Sequence, residues 1–154
     1  IGFVFQSYNL LPELTAAENV AMPLMFKGVD PDVRLLEAKK MLCRVGLKDR
    51  MDHFPNQMSG GQQQRVGIAR AFITQPEVVF ADEPTGNLDT RTTKEVMHMI
   101  RGFAHRFHQT IVLVSHDPEM TEYADRIVTL IDGRIVSNVE NQVKAEIDAA
   151  PYIE

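Results

Sequence analysis

The stretch that decides the fold reads VVFADEPTGNLD and runs from Val78 to Asp89. Its first four residues form a continuous apolar run, which is typical of a strand in a parallel sheet that is covered on both faces. Two carboxylates, Asp82 and Glu83, follow this strand directly, and Asp89 stands where it can cap the next helix. Because ligands of open α/β sheets bind at the carboxyl ends of the strands, we expect a binding site here.

Two further apolar runs flank this stretch in the sequence. Residues 1–5 predict a short buried strand that ends at Gln6, and residues 111–114 predict another, followed by Ser115 and His116. A helix with an apolar inner face is expected between residue 89 and the later strand. The order strand, helix, strand predicts an α/β layered core.

The polar residues at these strand ends suit phosphate chemistry. Neighbouring strand residues point to opposite sides, so Asp82 and Glu83 are expected to do different work. One carboxylate can hold Mg²⁺, and the other can take a proton from an attacking water. His116 can donate a hydrogen bond to a phosphate oxygen, and Gln6 can ligate Mg²⁺ or position water. An acidic turn and ordinary surface polar residues remain the alternatives.

A second candidate site lies at MSGGQ, residues 58–62, directly before a helix predicted over residues 62–74. The glycines permit close approach of the backbone, and free N–H groups at a helix start attract anions. Ser59 adds a hydroxyl group. A plain serine cap with a glycine turn is the alternative. The sequence has no G-x-x-x-x-G-K-[ST] loop.

Residues 12–57 predict a helical subdomain. Thr15 opens a capping box, Pro23 is expected to limit the first helix, and Asp30 precedes a proline at the start of the second, which Gly46 closes. Met22, Leu24, Met25 and Phe26 form an apolar cluster that suits an adaptable contact surface, and burial of all four in the core is the alternative.

The C-terminal part carries turn signals. Asp117 and its following proline predict a short helix. Asp132-Gly133, between the apolar segments 127–131 and 134–136, predicts a hairpin with a type I′ turn. We expect the tail, residues 138–154, to form a loosely docked helix.

The composition of the chain limits the classes of partner and the compartment that we expect. The net charge of −5 argues against a broad surface for nucleic acid, and the single cysteine fits a reducing compartment. No apolar run approaches the roughly 20 residues that span a bilayer. The chain opens within a strand pattern without a methionine, so we expect a fragment of a longer protein.

Together these motifs resemble the nucleotide-binding subunits of ATP-binding cassette (ABC) transporters, over residues 1–137. The resemblance is greatest to the subgroup that serves lipoprotein release, macrolide or antimicrobial-peptide export and cell division. It implies an α/β fold: a partial P-loop NTPase-type core with a parallel sheet and an inserted helical subdomain at 12–57. The matching motifs are the Q-loop at Phe5-Gln6, the signature at 58–62 with Met58 in place of the usual Leu, Walker B at 78–83, the D-loop at 86–89 and the switch histidine His116.

The resemblance implies ATP and Mg²⁺ as cofactors and assigns a role to each motif residue. Glu83 and His116 are the expected catalytic residues, and Gln6 and Asp82 the expected metal ligands. The expected nucleotide-binding residues are Gln6, Ser59, Gly60, Gly61, Gln62, Asp82 and Asp89.

The resemblance also implies partners. In the family, two ATPase subunits pair head to tail, and the signature serine and glycines hold a nucleotide bound to the other subunit's Walker A loop. An integral membrane permease is the second partner, so we expect a peripheral location on the cytoplasmic face of the inner membrane. Because the Walker A loop precedes the Q-loop in the family, this chain alone is expected to be inactive.

Three other interpretations are compatible with the same motifs. A soluble ABC-type ATPase of DNA repair or chromosome organisation would show a coiled coil before the signature, and no heptad run leads into Met58. A translation-type protein with two cassettes remains open. A regulatory subunit without turnover is disfavoured by Glu83 and His116.

Overall fold

The computed structural model describes residues 1–142. Short 3₁₀ turns connect its main elements at Lys48–Arg50, Pro55–Gln57 and Pro118–Tyr123. The strands and helices, in chain order, are β1 (Gly2–Phe5), α1 (Ala16–Phe26), α2 (Pro31–Arg44), α3 (Gly60–Phe72), β2 (Val78–Asp82), α4 (Thr90–Arg106), β3 (Thr110–Val114), β4 (Arg126–Ile131) and β5 (Arg134–Glu140).

The central sheet has three parallel strands in the order β1-β2-β3. The register places Phe5 opposite Asp82, and Asp82 opposite Val114. All three carboxyl ends therefore meet at one edge of the sheet. This arrangement confirms the predicted α/β fold with a parallel sheet.

One face of this sheet is buried and the other is partly open. Val79 and Ala81 of β2 are fully buried in the core that contains Phe72 of α3 and Phe103 of α4, whose rings lie 5.3 Å apart. On the opposite face Phe80 is 37% exposed. The prediction that this strand is covered on both faces is therefore wrong for the described residues, because α3 and α4 contribute side chains to one face only.

Residues 12–57 contain only helices and turns, with α1 packed against both α2 and α3. The prediction that Pro23 limits α1 is wrong, since the helix continues to Phe26. An interior proline removes one helical hydrogen bond. Burial of Val20 and Leu24 on either side of Pro23 offsets that loss by holding both parts of the helix in the core.

The Asn19 side chain stabilises the loop before α1 through hydrogen bonds to its backbone. Its side chain is fully buried, and its Oδ1 accepts from the Leu11 N–H at 2.8 Å. Its Nδ2 donates to the carbonyl oxygens of Leu11, Leu14 and Thr15, each at 3.0 Å. One amide thus bonds to four backbone groups, of which the Leu11 N–H and the Leu14 carbonyl have no other partner among the described residues.

Strands β4 and β5 form a separate antiparallel hairpin. Asp132 and Gly133 have φ values of 49° and 73°, as the predicted type I′ turn requires. The predicted tail helix is wrong at its start, because the ladder to β4 continues β5 through Asn138 to Glu140. The remainder of that prediction lies outside the described residues. Within residues 1–142, no helix has the length and apolar character needed to span a membrane.

Replacing Asn19 tests this account of the helical region. Asn19→Ala leaves the Leu11 N–H and the Leu14 carbonyl without a partner, so we expect the free energy of unfolding to fall by about 2 kcal/mol or more. The exposed Asn138→Ala serves as the control and should change it by less than about 0.5 kcal/mol. Urea denaturation followed by circular dichroism measures both. Equal effects of the two substitutions would contradict the role given to Asn19.

Candidate functional site

The carboxyl edge of the sheet gathers the predicted site residues of the strand ends. Gln6 follows β1, and Asp82 ends β2; both side chains are exposed. The side-chain amide of Gln6 packs over Gly86, so a side chain at position 86 would collide with it. The backbone carbonyl of Gln6 accepts a hydrogen bond from Asn87 Nδ2 at 3.1 Å. Among the described residues, the Asp82 carboxylate has no hydrogen bond or ion pair. It is therefore available to a ligand.

Glu83 is held in an unusual backbone conformation. Its φ is +44°, in the left-handed region that non-glycine residues seldom occupy. Its N–H donates to the Val114 carbonyl at 2.9 Å, which extends the pairing of β2 with β3 by one residue. Such backbone strain persists where surrounding contacts enforce it, and it is common at functional sites. The turn directs the Glu83 side chain toward the residues that follow β3.

The Glu83 carboxylate is fully engaged there. It accepts from Ser115 Oγ at 2.9 Å and from the His116 N–H at 2.8 Å, and it lies 2.6 Å from His116 Nδ1. The side chain of Glu83 is 20% exposed and that of His116 is 86% exposed. The structure therefore joins the two residues expected to be catalytic in one pair, which borders an open cavity of about 440 Å³.

The pair shifts both protonation equilibria. Burial acts to raise the pKa of Glu83, but the hydrogen bonds from His116 and Ser115 outweigh it, and the Glu83 pKa is lowered. The hydrogen bond to Glu83, followed by its negative charge, raises the pKa of His116. The charged form of each partner thus favours the charged form of the other.

Ser59 begins helix α3 through a reciprocal cap. Its Oγ accepts from the Gln62 N–H at 3.3 Å, and its own N–H donates to Gln62 Oε1 at 3.0 Å. This capping box starts the helix at Gly60, two residues before the predicted start. Ser59 itself is exposed, so a ligand can reach this helix end.

The two signature glycines also serve contacts within the chain. A side chain on Gly60 would approach the Tyr8 hydroxyl to 2.8 Å, and one on Gly61 would approach Thr92 Cγ2 to the same distance. Tyr8 belongs to the loop after Gln6. The missing side chains therefore allow α3 to lie close to both the loop after β1 and the start of α4.

Asp89 is the N-cap of α4. Its carboxylate accepts from the backbone N–H groups of Arg91 and Thr92, and from Thr92 Oγ1 at 2.6 Å. The Thr92 hydroxyl, followed by the Thr92 N–H, lowers the pKa of Asp89. Since the Thr92 methyl group also packs against Gly61, the Asp89 cap and the start of α3 are structurally linked.

Sequence reasoning missed two contributors to this site. Ser115 orients Glu83, and its only sequence signal is its position beside His116. Gln64 of α3 donates a hydrogen bond to the carbonyl of Pro84, which directly follows Glu83. Nothing in the local sequence distinguishes Gln64 from the two glutamines that precede it.

The residues fit a magnesium ion that is shared with phosphate. Within residues 1–142, no group of three or more His, Cys, Asp or Glu side chains can hold a metal ion unaided. Mg²⁺ in phosphate sites needs only one or two protein oxygens, because water and phosphate supply the others. The unpartnered Asp82 carboxylate and the exposed Gln6 amide, at adjacent strand ends, provide that number.

Comparison with known proteins points to one family. Residues 1–86 match the ABC transporter family. An ABC transporter ATP-binding protein of Thermotoga maritima is 54% identical over 135 residues, which cover 88% of this chain and 57% of that protein. The macrolide export ATP-binding/permease protein MacB of Pasteurella multocida is 47% identical over 137 residues, which cover 89% of this chain and 21% of MacB.

A solved structure resembles the fold. The dimeric post-hydrolysis state of the ATP-binding cassette MJ0796, bound to ADP and Pi, matches with a TM-score of 0.79 and 40% identity. The match covers 90% of this chain and 62% of that one. The chain thus spans about three fifths of the Thermotoga maritima protein and of the MJ0796 cassette but about one fifth of MacB, and by sequence it belongs to the ABC transporter family.

Proposed function

We propose that the protein containing this chain hydrolyses ATP to power a membrane transporter. The observation that carries the proposal is the Glu83 carboxylate, oriented by Ser115 and His116 at the carboxyl edge of a parallel sheet. The similarity to ABC transporter ATP-binding proteins and to MacB favours transport over DNA repair or translation.

Glu83 and His116 have different proposed roles in hydrolysis: Glu83 acts on the attacking water, and His116 contacts the γ-phosphate. In the proposed mechanism, Glu83 polarises or deprotonates the attacking water. His116 Nδ1 already faces Glu83, so its contact with the γ-phosphate would use Nε2. Only the protonated imidazole donates from both nitrogens, and the raised pKa of His116 favours that form. As a general base, Glu83 needs to exchange one of its present donors for water.

Asp82 and Gln6 are the proposed magnesium ligands. When bound with nucleotide, Mg²⁺ would offset the negative charge that develops on the phosphates. The proposed nucleotide-binding residues otherwise lie at the start of α3, Ser59 to Gln62, and at Asp89. Their contribution is positioning and electrostatic stabilisation, which carry most of the catalysis in phosphoryl transfer.

A second cassette subunit is the proposed partner of the α3 end. The exposed Ser59 and the free N–H groups of the helix start suit an anion, and the signature is expected to face nucleotide held by the other subunit, head to tail. The dimeric state of the MJ0796 cassette supports this arrangement.

A permease is the proposed second partner, and the cytoplasmic face of the inner membrane the proposed location. Helix α1 ends in an apolar surface, with Met25 45% and Phe26 78% exposed. Leu24 is buried, so it belongs to the core and not to this surface. We propose that residues 1–137 belong to the ATPase domain, together with 138–140 at the end of β5, and that its helical part, residues 12–57, docks on the permease.

The first test is Glu83→Gln in the full-length protein. Gln keeps the size of the side chain but cannot accept a proton at neutral pH, so turnover should fall by about 100-fold or more while ATP binding is retained. Glu77→Gln, at the amino end of β2, is the matched control and should retain normal turnover. Steady-state phosphate release and equilibrium ATP binding measure the two quantities. Near-normal turnover in Glu83→Gln would refute the role of Glu83.

The pH dependence of stability tests the Glu83–His116 pair. The raised pKa of His116 contributes stability that is fully present below about pH 6.5 and is lost as pH rises through the folded-state pKa. The lowered pKa of Glu83 contributes stability above about pH 4.5 that is lost as pH falls. His116→Gln should therefore lower the melting temperature most near about pH 5.5, and least near about pH 9.

Asn138→Ala, an exposed substitution that removes no titratable group, is the control for the pH experiment. Its effect on the melting temperature should be the same at every pH tested. Calorimetry of the three proteins provides the comparison. A pH-independent effect of His116→Gln would show that the pair does not stabilise the fold through its charges.

The third test concerns the subunit interface. Ser59→Arg places a bulky side chain at the start of α3, so it should abolish ATP-dependent dimerisation while each full-length monomer still binds ATP. Cys43→Arg, at an exposed position of α2, should leave dimerisation intact. Sedimentation velocity with and without Mg-ATP distinguishes the outcomes. Normal dimerisation of Ser59→Arg would exclude Ser59 from the interface.

A further inference from the structure

The side chain of Gln64 connects two parts of the site that are distant in sequence. Gln64 lies on α3, five residues after the Ser59 cap, and it is fully buried. Its Nε2 donates to the carbonyl of Pro84, which is also buried. Pro84 directly follows Glu83, whose left-handed φ turns the chain away from β2. The amide therefore reaches from the signature helix to the turn that orients the Glu83 carboxylate.

Packing in the core does not by itself account for an amide side chain at position 64. Its Oε1 is buried without a hydrogen-bond partner, so only half of the amide is satisfied. A buried, unpaired oxygen is unfavourable, and an apolar side chain of similar size avoids it. The hydrogen bond to Pro84 is the interaction that only the amide provides.

We propose that Gln64 is a positioning residue that fixes the turn carrying Glu83 relative to the start of α3. A shift of α3 relative to the sheet would pull on the Pro84 carbonyl and so move the Glu83 carboxylate against Ser115 and His116. The start of α3 is the end proposed to meet nucleotide on the other subunit. Gln64 thus mechanically links occupancy of that end to the placement of the general base.

The chain offers a matched control in Gln109. Its Nε2 donates to the carbonyl of Pro76 at 2.6 Å, and its Oε1 is likewise buried without a partner. Both glutamines therefore make the same kind of bond to a proline carbonyl. Gln109 precedes β3, at the opposite end of the sheet from Glu83. Methionine at either position removes the same interaction and keeps nearly the same length.

The first measurement is the pKa of His116 in the full-length protein, followed by NMR of labelled histidine. Its raised pKa depends on the contact with Glu83. In Gln64→Met the turn loses its fixed position, so the pKa of His116 should fall toward its ordinary value. In Gln109→Met it should equal that of the unsubstituted protein. An unchanged His116 pKa in Gln64→Met overturns the proposal.

The second measurement is ATP turnover, which rests on the proposed function. Misplacement of a reacting group by about 1 Å can cost about 100-fold in rate, so kcat of Gln64→Met should fall by roughly 10- to 100-fold. Its KM for ATP should stay within about twofold, because the Gln64 side chain is fully buried and not open to a ligand. Gln109→Met should change neither constant. Normal kcat in Gln64→Met also overturns the proposal.

Thermal stability separates positioning from a general structural role. Gln64→Met loses one hydrogen bond but also removes an unpaired buried oxygen, so its melting temperature should stay close to that of Gln109→Met. A large fall in the melting temperature of Gln64→Met alone, or its failure to fold, would make the amide a structural residue and overturn the proposal. Absence of ATP turnover in the unsubstituted protein would instead refute the proposed function, while the His116 measurement remains decisive for Gln64.

Discussion

The parallel pairing of β2 with β3 is the constraint on which the site depends. The ladder continues one residue beyond Asp82, through the Glu83 N–H to the Val114 carbonyl, and Glu83 then enters a left-handed turn. Because both strands run in the same direction, Ser115 and His116 emerge beside this turn. The Glu83 carboxylate meets three donors there without any contact from a distant loop.

Close packing of α3 extends this constraint to the rest of the site. Gly60 and Gly61 let the helix approach Tyr8 and Thr92, and Gln64 bonds to the turn after Glu83. The start of α3, the loop after β1 and the cap of α4 consequently form one connected unit. A ligand that moves the exposed end of α3 therefore acts on a linked group of residues, and the same glycines serve both internal packing and access to the helix end.

Local signals made much of the fold predictable. The caps at Thr15, Asp30 and Asp89 act within three residues of their own position, so the sequence shows them directly. The apolar runs identified the parallel strands and hence the edge where Asp82, Glu83 and His116 meet. The prediction that α1 ends at Pro23 is wrong because tertiary packing, which a local pattern does not show, stabilises the helix on both sides of the proline. The bonds that join Gln64 to Pro84 and Glu83 to Ser115 span 20 and 32 residues, and no local pattern encodes them.

The central claim is that Glu83 and His116 act as one catalytic unit. A double-substitution cycle on turnover, with Glu83→Gln, His116→Ala and the combined variant in the full-length protein, tests it most directly. Residues that act as a unit give strongly non-additive effects. The account predicts that the combined variant hydrolyses ATP about as slowly as the slower single variant. A combined loss equal to the product of the two single losses would show that the residues act independently and would contradict the account.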